Sequence, residues 1–260
     1  MTASADITPS QLSTLSKLIY SETGIVIGEK KLALLRARLA KRMRFTHKRT
    51  VSDYMKQLQQ DETEFLHFLD AITTNHTYFF RENRHCEYLI SQLDPSVPVK
   101  IWCAACSSGE EPYSIGAQLM DGGFRFSIFA TDISETMLAA ARTGIFPKER
   151  LKQFPKPSLS RYFQRGQGKR EGSVRVKPEV RHHVTFGKFN LIADRPPDIF
   201  DVIFCRNVMI YFDTATRQKV IDRLLPALKP GGYFFVGLSE SLSGIRHPLI
   251  NQIPSAYRKN

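Results

Sequence analysis

The chain has 260 residues, 42% of them hydrophobic, with four cysteines and a formal net charge of +12. That length suits one large domain or a medium domain with a small companion, and no apolar run approaches the ~20 residues a membrane-spanning helix needs. Cys86, Cys103, Cys106 and Cys205 all lie in or beside apolar segments, as buried reduced thiols do, and Met1-Thr-Ala-Ser-Ala-Asp lacks the basic and apolar parts of a secretory leader. A soluble cytoplasmic protein is expected.

The positive charge is concentrated. Residues 28–50 carry nine Lys/Arg against one acid, and residues 142–188 carry thirteen against three. Surfaces this biased face nucleic acid, an anionic membrane or an acidic protein, unless they are simply solvated. Thr8-Pro9 and Ser10 open a first helix, with Leu12, Leu15, Leu18 and Ile19 at helical spacing. Beyond Gly24 and Gly28, a second helix is predicted from Glu29 to Arg44. Leu32, Leu35 and Leu39 lie on one face of it, and Arg38, Lys41 and Arg42 lie elsewhere on its circumference. Ser52–Gln60 and Asp61–Thr73 supply two more helices. The polar and aromatic segment Thr74-Asn-His-Thr-Tyr-Phe-Phe-Arg-Glu82 then leads into a helix over Glu82–Gln92. It reads either as a lid formed by Asn75, Thr77 and Arg81 and anchored by Phe79 and Phe80, or as a hydrophobic hinge.

From Val99 onward strand and helix alternate. Strands are predicted at Val99–Cys103, Phe126–Thr131, His183–Gly187, Asp201–Cys205 and Tyr233–Leu238, and helices near Pro112–Met120, Ser134–Arg142 and Thr214–Leu228. This order predicts an α/β fold with a parallel sheet. Residues 156–181 interrupt it. The β-prone pieces Tyr162-Phe163, Val174–Val176 and Val180, set around a glycine-rich turn, predict a small antiparallel insert. Lys229-Pro-Gly-Gly232 predicts a turn. The expected division is a helical domain over 1–80, an α/β domain over 81–260 and a β-subdomain at 156–182.

The segment from Lys100 to Gly116 carries the clearest chemistry. A strand ends in small residues and Gly109, and Glu110-Glu111 then opens a helix, the order in which a ligand lies over the turn. The paired carboxylates repel a pyrophosphate, and Gly-x-Gly-x-x-Gly is missing. They suit hydroxyls or positive charge, such as the ribose and sulfonium of S-adenosylmethionine. Asp132, ending the second strand, suits ribose hydroxyls or caps the next helix. Asn190-Leu191 follows the third strand, where an adenine edge can be held. Arg206, Asn207 and Tyr211 follow the fourth and point to the same cleft, unless Arg206 is a surface charge and Tyr211 a packing residue. Cys103-x-x-Cys106 has no second ligand pair at zinc spacing, so no metal is expected.

Taken in order, Ile72-Thr-Thr-Asn-His-Thr-Tyr-Phe-Phe-Arg81, Cys106-Ser-Ser-Gly-Glu-Glu-Pro-Tyr-Ser114, Ala130-Thr-Asp-Ile133, Phe204-Cys-Arg-Asn-Val-Met-Ile-Tyr-Phe-Asp213, Leu228-Lys-Pro-Gly-Gly232 and Ser239-Glu-Ser241 resemble the CheR-type chemotaxis receptor glutamate methyltransferases. Ala105 and His76 depart from the usual pattern, neither at a position assigned to the cofactor. The resemblance implies an all-α N-terminal domain, a Rossmann-like methyltransferase domain and a small antiparallel β-subdomain. It also implies methyl ester formation on chemoreceptor glutamates from S-adenosylmethionine, with S-adenosylhomocysteine as product. It places Asn75, Thr77, Arg81, Glu110, Asp132, Asn190, Leu191, Arg206 and Asn207 around the cofactor. Arg36, Arg38 and Arg42 would face acidic receptor helices, and the insert around Gly166, Gly168 and Gly172 would dock a receptor's C-terminal peptide tether.

A glutamate, with an ordinary pKa of about 4.3, needs no strong base at neutral pH. The work left is alignment and exclusion of water, for which Arg81 and Tyr211 are expected to orient the carboxylate. A nucleic-acid methyltransferase is the alternative enzyme, since the pI near 9.6 suits RNA, but Arg206-Asn-Val-Met stands where base methylation often uses an Asn/Asp-Pro-Pro-Tyr-like loop. A non-catalytic adaptor is the other alternative, and it has no need of Glu110 and Asp132. A monomer that neither binds nucleic acid nor enters a membrane is expected.

Overall fold

Apolar residues at helical spacing build the first of two units. The computed structural model describes this unit over residues 7–73 with Tyr211–Thr216, and the second over residues 75–151, 154–210 and 217–260. Met1–Asp6, on which the expectation about a leader rests, and Thr74 lie outside the described residues. Asn75 opens the second unit, whereas the sequence placed the division at Arg81.

The first unit contains α1 (Pro9–Thr23), α2 (Glu29–Phe45), α3 (Val51–Gln60) and α4 (Glu62–Ile72). A reciprocal cap starts α1: Thr8 Oγ1 accepts from the Gln11 N–H, and Gln11 Oε1 accepts from the Thr8 N–H. Leu15, Ile19, Leu35, Leu39, Met43, Tyr54 and Phe68 are buried together. Within that core sits one carboxylate, Glu64. It accepts from the Tyr54 hydroxyl at 2.5 Å and from Arg42 through both Nε and Nη2.

That pairing changes the expected basic face of α2. Arg36 is exposed. Arg38 is half-buried, donates to the Thr73 carbonyl (2.5 Å), and has its pKa lowered by burial. Arg42 is turned inward onto Glu64, so its charge is answered within the unit rather than offered outward. The reason is geometric: Arg38 and Arg42 are four residues apart and share the side of α2 that packs on α4.

The second unit contains α5 (Arg84–Gln92), β1 (Val99–Cys103), α6 (Glu110–Asp121), β2 (Phe126–Asp132), α7 (Glu135–Thr143), β3 (Ile145–Pro147), β4 (Phe163–Arg165), β5 (Ser173–Val176), α8 (Pro178–Arg181), β6 (Val184–Lys188), β7 (Phe200–Phe204), β8 (Leu228–Phe235), β9 (Leu249–Ile253) and β10 (Ala256–Lys259). A further helix, α9 (Thr214–Leu224), begins within the segment that joins the first unit. The main sheet has the order β6-β2-β1-β7-β8-β10-β9. Its first five strands are parallel, and β10 and β9 return antiparallel. Trp102, Phe200, Phe204 and Phe235 are fully buried in it, and the Trp102 indole donates to Thr131 Oγ1 at 2.9 Å.

Three features differ from expectation. The small sheet is β3-β5-β4, so it recruits Ile145–Pro147, while Val180 lies in α8. Gly144, at φ +63°, ends α7 and turns the chain directly into β3. Lys229-Pro-Gly-Gly232 bulges within β8: Leu228 pairs with Phe200, and pairing resumes at Tyr233 with Val202. The β9–β10 hairpin gave no periodic signal because Ile250, Asn251 and Gln252 are all exposed. Among the described residues no helix is long and apolar enough to cross a membrane.

Glu64→Ala strands the Arg42 guanidinium and the Tyr54 hydroxyl, so it is expected to cost about 2–3 kcal/mol, read as a lower urea midpoint.

Candidate active site

Strand order locates the crevice. From β1 the chain moves outward through β2 to β6, then returns to pair β7 on the other side of β1. The loops after β1 and β7 therefore diverge, and a ligand fits outside the carboxyl ends of the strands at that point.

The loop after β1 is held by backbone bonds to both neighbours. Ala104 N–H donates to the Phe204 carbonyl and Cys106 N–H to the Thr131 carbonyl, each at 2.8 Å. Gly109 has φ +96°, and a Cβ there would lie 2.8 Å from the Ala141 Cβ, so no side chain fits the start of α6. Asp132 is buried, and its two oxygens accept from the N–H groups of Ser107 (2.8 Å) and Ser134 (3.0 Å). It is therefore not the cap of α7. Ser134 fills that place, accepting from Met137 N–H, while Asp132 ties the β1 loop to the end of β2.

Glu110 is the outlying group. It is 1% exposed; Oε2 accepts from the Ser108 hydroxyl at 2.7 Å, and among the described residues Oε1 has no hydrogen-bond donor, Arg150 standing 3.5 Å away. Burial pushes its pKa up. A buried carboxylate oxygen without a donor is an unanswered acceptor, and a cationic or hydroxyl-bearing ligand answers it.

The remaining candidates gather around this loop. Ser107 Oγ donates to the Asn75 carbonyl (3.3 Å), and Arg150 donates to the carbonyl of the buried Thr77. Phe79 meets Phe146 and Phe163 edge-on at 4.8 and 5.2 Å, and Phe80 N–H donates to Ser114 Oγ. The Arg81 guanidinium folds back, Nη1 donating to the His76 carbonyl at 2.9 Å. Phe189 N–H donates to the Asp132 carbonyl (3.0 Å), which brings Asn190 and the buried Leu191 beside Asp132. Asn190 Oδ1 accepts from Ile192 N–H at 3.0 Å and so shapes its own turn.

Arg206 departs from the expected ligand contact. It is buried, and its guanidinium donates to Glu111 (2.8 Å), to Glu82 (2.9 Å) and to the Arg81 carbonyl (2.8 Å). It fastens the end of β7 to α6 and to the Arg81 segment. Its Cα neighbour Asn207 stands at φ +59°, with its N–H on Glu240 Oε2 (2.7 Å) and its amide nitrogen on Glu82 Oε1 (3.1 Å). Glu82 and Glu240 have no role in the sequence reading, and Glu111, read there with Glu110 as a ligand-facing pair, is instead turned onto Arg206. The only signal of Glu82 and Glu240 was position, beside Arg81 and inside Ser239-Glu-Ser241.

Tyr211 belongs to the helical unit, where its carbonyl accepts from Val26 N–H at 2.9 Å. All four cysteines are free and buried; burial pushes the Cys86 thiol up to about 12 and the thiols of Cys103, Cys106 and Cys205 well above their ordinary value. Among the described residues no group of three or more His, Cys, Asp or Glu is placed to hold a metal ion.

A crevice at a switch point, acidic where a phosphate site would be basic, is in keeping with an S-adenosylmethionine-dependent methyltransferase. Residues 75–256 match the family described as "CheR methyltransferase, SAM binding domain", and residues 10–73 match "CheR methyltransferase, all-alpha domain". The chain belongs to the CheR methyltransferase family. It is 40% identical to a chemotaxis protein methyltransferase of Escherichia coli K12 over 94% of this chain and 88% of that protein. It is 41% identical to chemotaxis protein methyltransferase 2 of Pseudomonas aeruginosa over 88% and 85%. A chemotaxis protein methyltransferase of Borreliella burgdorferi is 35% identical over 98% and 96%.

A carboxylate whose folded pKa is raised is a stability loss that sets in as pH climbs past its unfolded pKa and is complete above its folded one. Glu110→Gln, neutral at every pH, is therefore expected to raise the ligand-free thermal midpoint at pH 7.5 by about 2–4 °C, an effect that vanishes in acid.

Proposed function

We propose that the protein esterifies glutamate side chains on the cytoplasmic helices of chemoreceptors, taking the methyl group from S-adenosylmethionine. The observation that carries this is the buried, half-answered Glu110 carboxylate beside Asp132 at the switch point. S-adenosylmethionine supplies an electrophilic methyl carbon on a cationic sulfonium, and S-adenosylhomocysteine is what remains. Glu110 offers its free oxygen to a positive or hydroxyl-bearing part of it, Asp132 serves the ribose, and the Asn190-Leu191 turn serves the adenine edge. Asn75, Thr77 and Arg81 cover the site. Arg206 acts through the loop it holds.

The substrate carboxylate arrives already ionised, so this chain's residues orient it and keep water out rather than remove a proton. Arg81 and Tyr211 are assigned that orienting role. The exposed bases of α2, Arg36 among them, and the half-buried Arg38 suit acidic receptor helices, while Arg42 supports the helix from within.

The small sheet suits an extended peptide. Among the described strands β4 pairs only with β5, which leaves an edge to which a receptor's C-terminal tether adds as a strand. A Cβ on Gly166 would lie 1.9 Å from the Arg170 carbonyl, and Gly168 and Gly172 have left-handed φ, so the turn beside that edge is built for glycine. The protein is assigned to the cytoplasm, as a monomer without a resident metal.

Labelled methyl transferred to receptor-containing membranes should be released as methanol by mild alkali. Label that resists alkali, or that needs RNA, overturns the reading. Arg81→Ala and Tyr211→Phe should each lower kcat by about 10–100-fold, as loss of substrate alignment does. Affinity for S-adenosylhomocysteine should be full at neutral pH and fall as acid protonates Glu110 through its raised pKa. Glu110→Gln should bind weakly at every pH, and calorimetric titration at several pH values checks both.

A further inference from the structure

We propose that Glu82 is a positioning residue that fixes which end of the Asn207 amide faces the cofactor, so that Asn207 presents a hydrogen-bond acceptor. This rests on the reading of the strand-end crevice as the cofactor site.

Three donors converge on the Glu82 carboxylate. Arg206 Nη2 (2.9 Å) and Leu238 N–H (3.0 Å) meet Oε2, and Asn207 Nδ2 (3.1 Å) meets Oε1. An ionised carboxylate only accepts, so the amide nitrogen of Asn207 must face Glu82 and its oxygen must face away. Among the described residues nothing donates to that oxygen. Burial alone would raise the Glu82 pKa, but the Arg206 charge, the Asn207 amide and the Leu238 N–H outweigh it and hold the group below its ordinary value. It stays ionised at neutral pH.

The backbone of Asn207 is fixed separately. Glu240 Oε2 accepts its N–H and the N–H of Gly237 (2.5 Å), and Oε1 accepts from Ile210 N–H (3.2 Å). A Cβ on Gly237 would lie 2.4 Å from Asn207 Nδ2, so the amide rests directly on bare backbone with no side chain between. Glu240 thus sets where Asn207 is, and Glu82 sets its polarity. An amide held this way accepts from an ammonium, hydroxyl or amino group and repels a lone pair. Arg206 keeps a second partner in Glu111, so the carboxylate of Glu82 is not its sole counter-charge.

Glu82→Gln puts two NH2 groups face to face, and the relief is a reversed Asn207 amide that donates where it should accept. The Kd for S-adenosylhomocysteine, measured by calorimetry, should rise at least about tenfold, while the ligand-free thermal midpoint falls by no more than about 4 °C. In Glu82→Gln/Asn207→Asp, the Gln amide meets one carboxylate oxygen and the other is again an acceptor. That variant should recover to within about threefold of the original Kd, although Asn207→Asp alone, with two facing carboxylates, binds poorly. A Glu82→Gln protein that binds like the original, or a folded double variant that does not recover, overturns the assignment. If Glu82→Gln does not fold, the double variant decides alone, since recovery of folding and affinity supports the pairing and their loss overturns it. An unaltered protein that fails to bind S-adenosylhomocysteine overturns the site itself.

Discussion

A buried guanidinium organises the catalytic unit. Arg206 stands at the carboxyl end of β7 with almost no contact with solvent, and it is tolerated there only because Glu82, Glu111 and the Arg81 carbonyl meet it. Such a charge loses several kcal/mol of hydration, which its partners must return through good geometry. The requirement works in both directions. The start of α6, the segment leading into α5 and the loop after β7 must all arrive at one point, at the carboxyl ends of the strands.

The same constraint explains how acids and bases are divided. The chain is strongly basic overall, yet Glu110, Asp132, Glu240 and the partners of Arg206 lie inward around the strand ends. The surplus bases of residues 28–50 and 142–188 fall largely on exposed positions. One molecule therefore carries a local field suited to a cationic, hydroxyl-rich cofactor and an outer field suited to an acidic partner. Neither follows from net charge alone.

Local conformation adds to this. Among the described residues, Phe80, Glu82, Ser107 and Asn207 all adopt left-handed φ without being glycine. Each costs on the order of 1–3 kcal/mol and persists where its surroundings over-determine it. Here the surroundings are visible: Asp132 accepts the Ser107 N–H, Ser114 accepts the Phe80 N–H, Glu240 accepts the Asn207 N–H, and the Glu82 side chain takes three donors. Carboxylates and one hydroxyl hold the turns that a Gly-rich loop would hold by flexibility.

Period and punctuation in the sequence determined the four N-terminal helices, the parallel strands and the ligand turn at Gly109, because helical spacing, β-prone runs and caps are local properties. The motif from Cys106 to Ser114 and the acid at Asp132 also pointed to the strand-end crevice, since a strand end followed by a helix start admits few arrangements. Other features were decided only in three dimensions. No element is predicted over Leu249–Ile253 or Ala256–Lys259, which form a hairpin where β8 offers Ala256–Lys259 an edge. Lys229-Pro-Gly-Gly232 has turn chemistry but lies inside a strand, because β7 pairs on both sides of the bulge. Arg42 and Arg206 read as surface or ligand-facing cations, and only the approach of Glu64, Glu82 and Glu111 from distant parts of the chain turned them inward. An ion pair across a long stretch of sequence leaves no periodic trace, so the partner of a charge is a property of the fold.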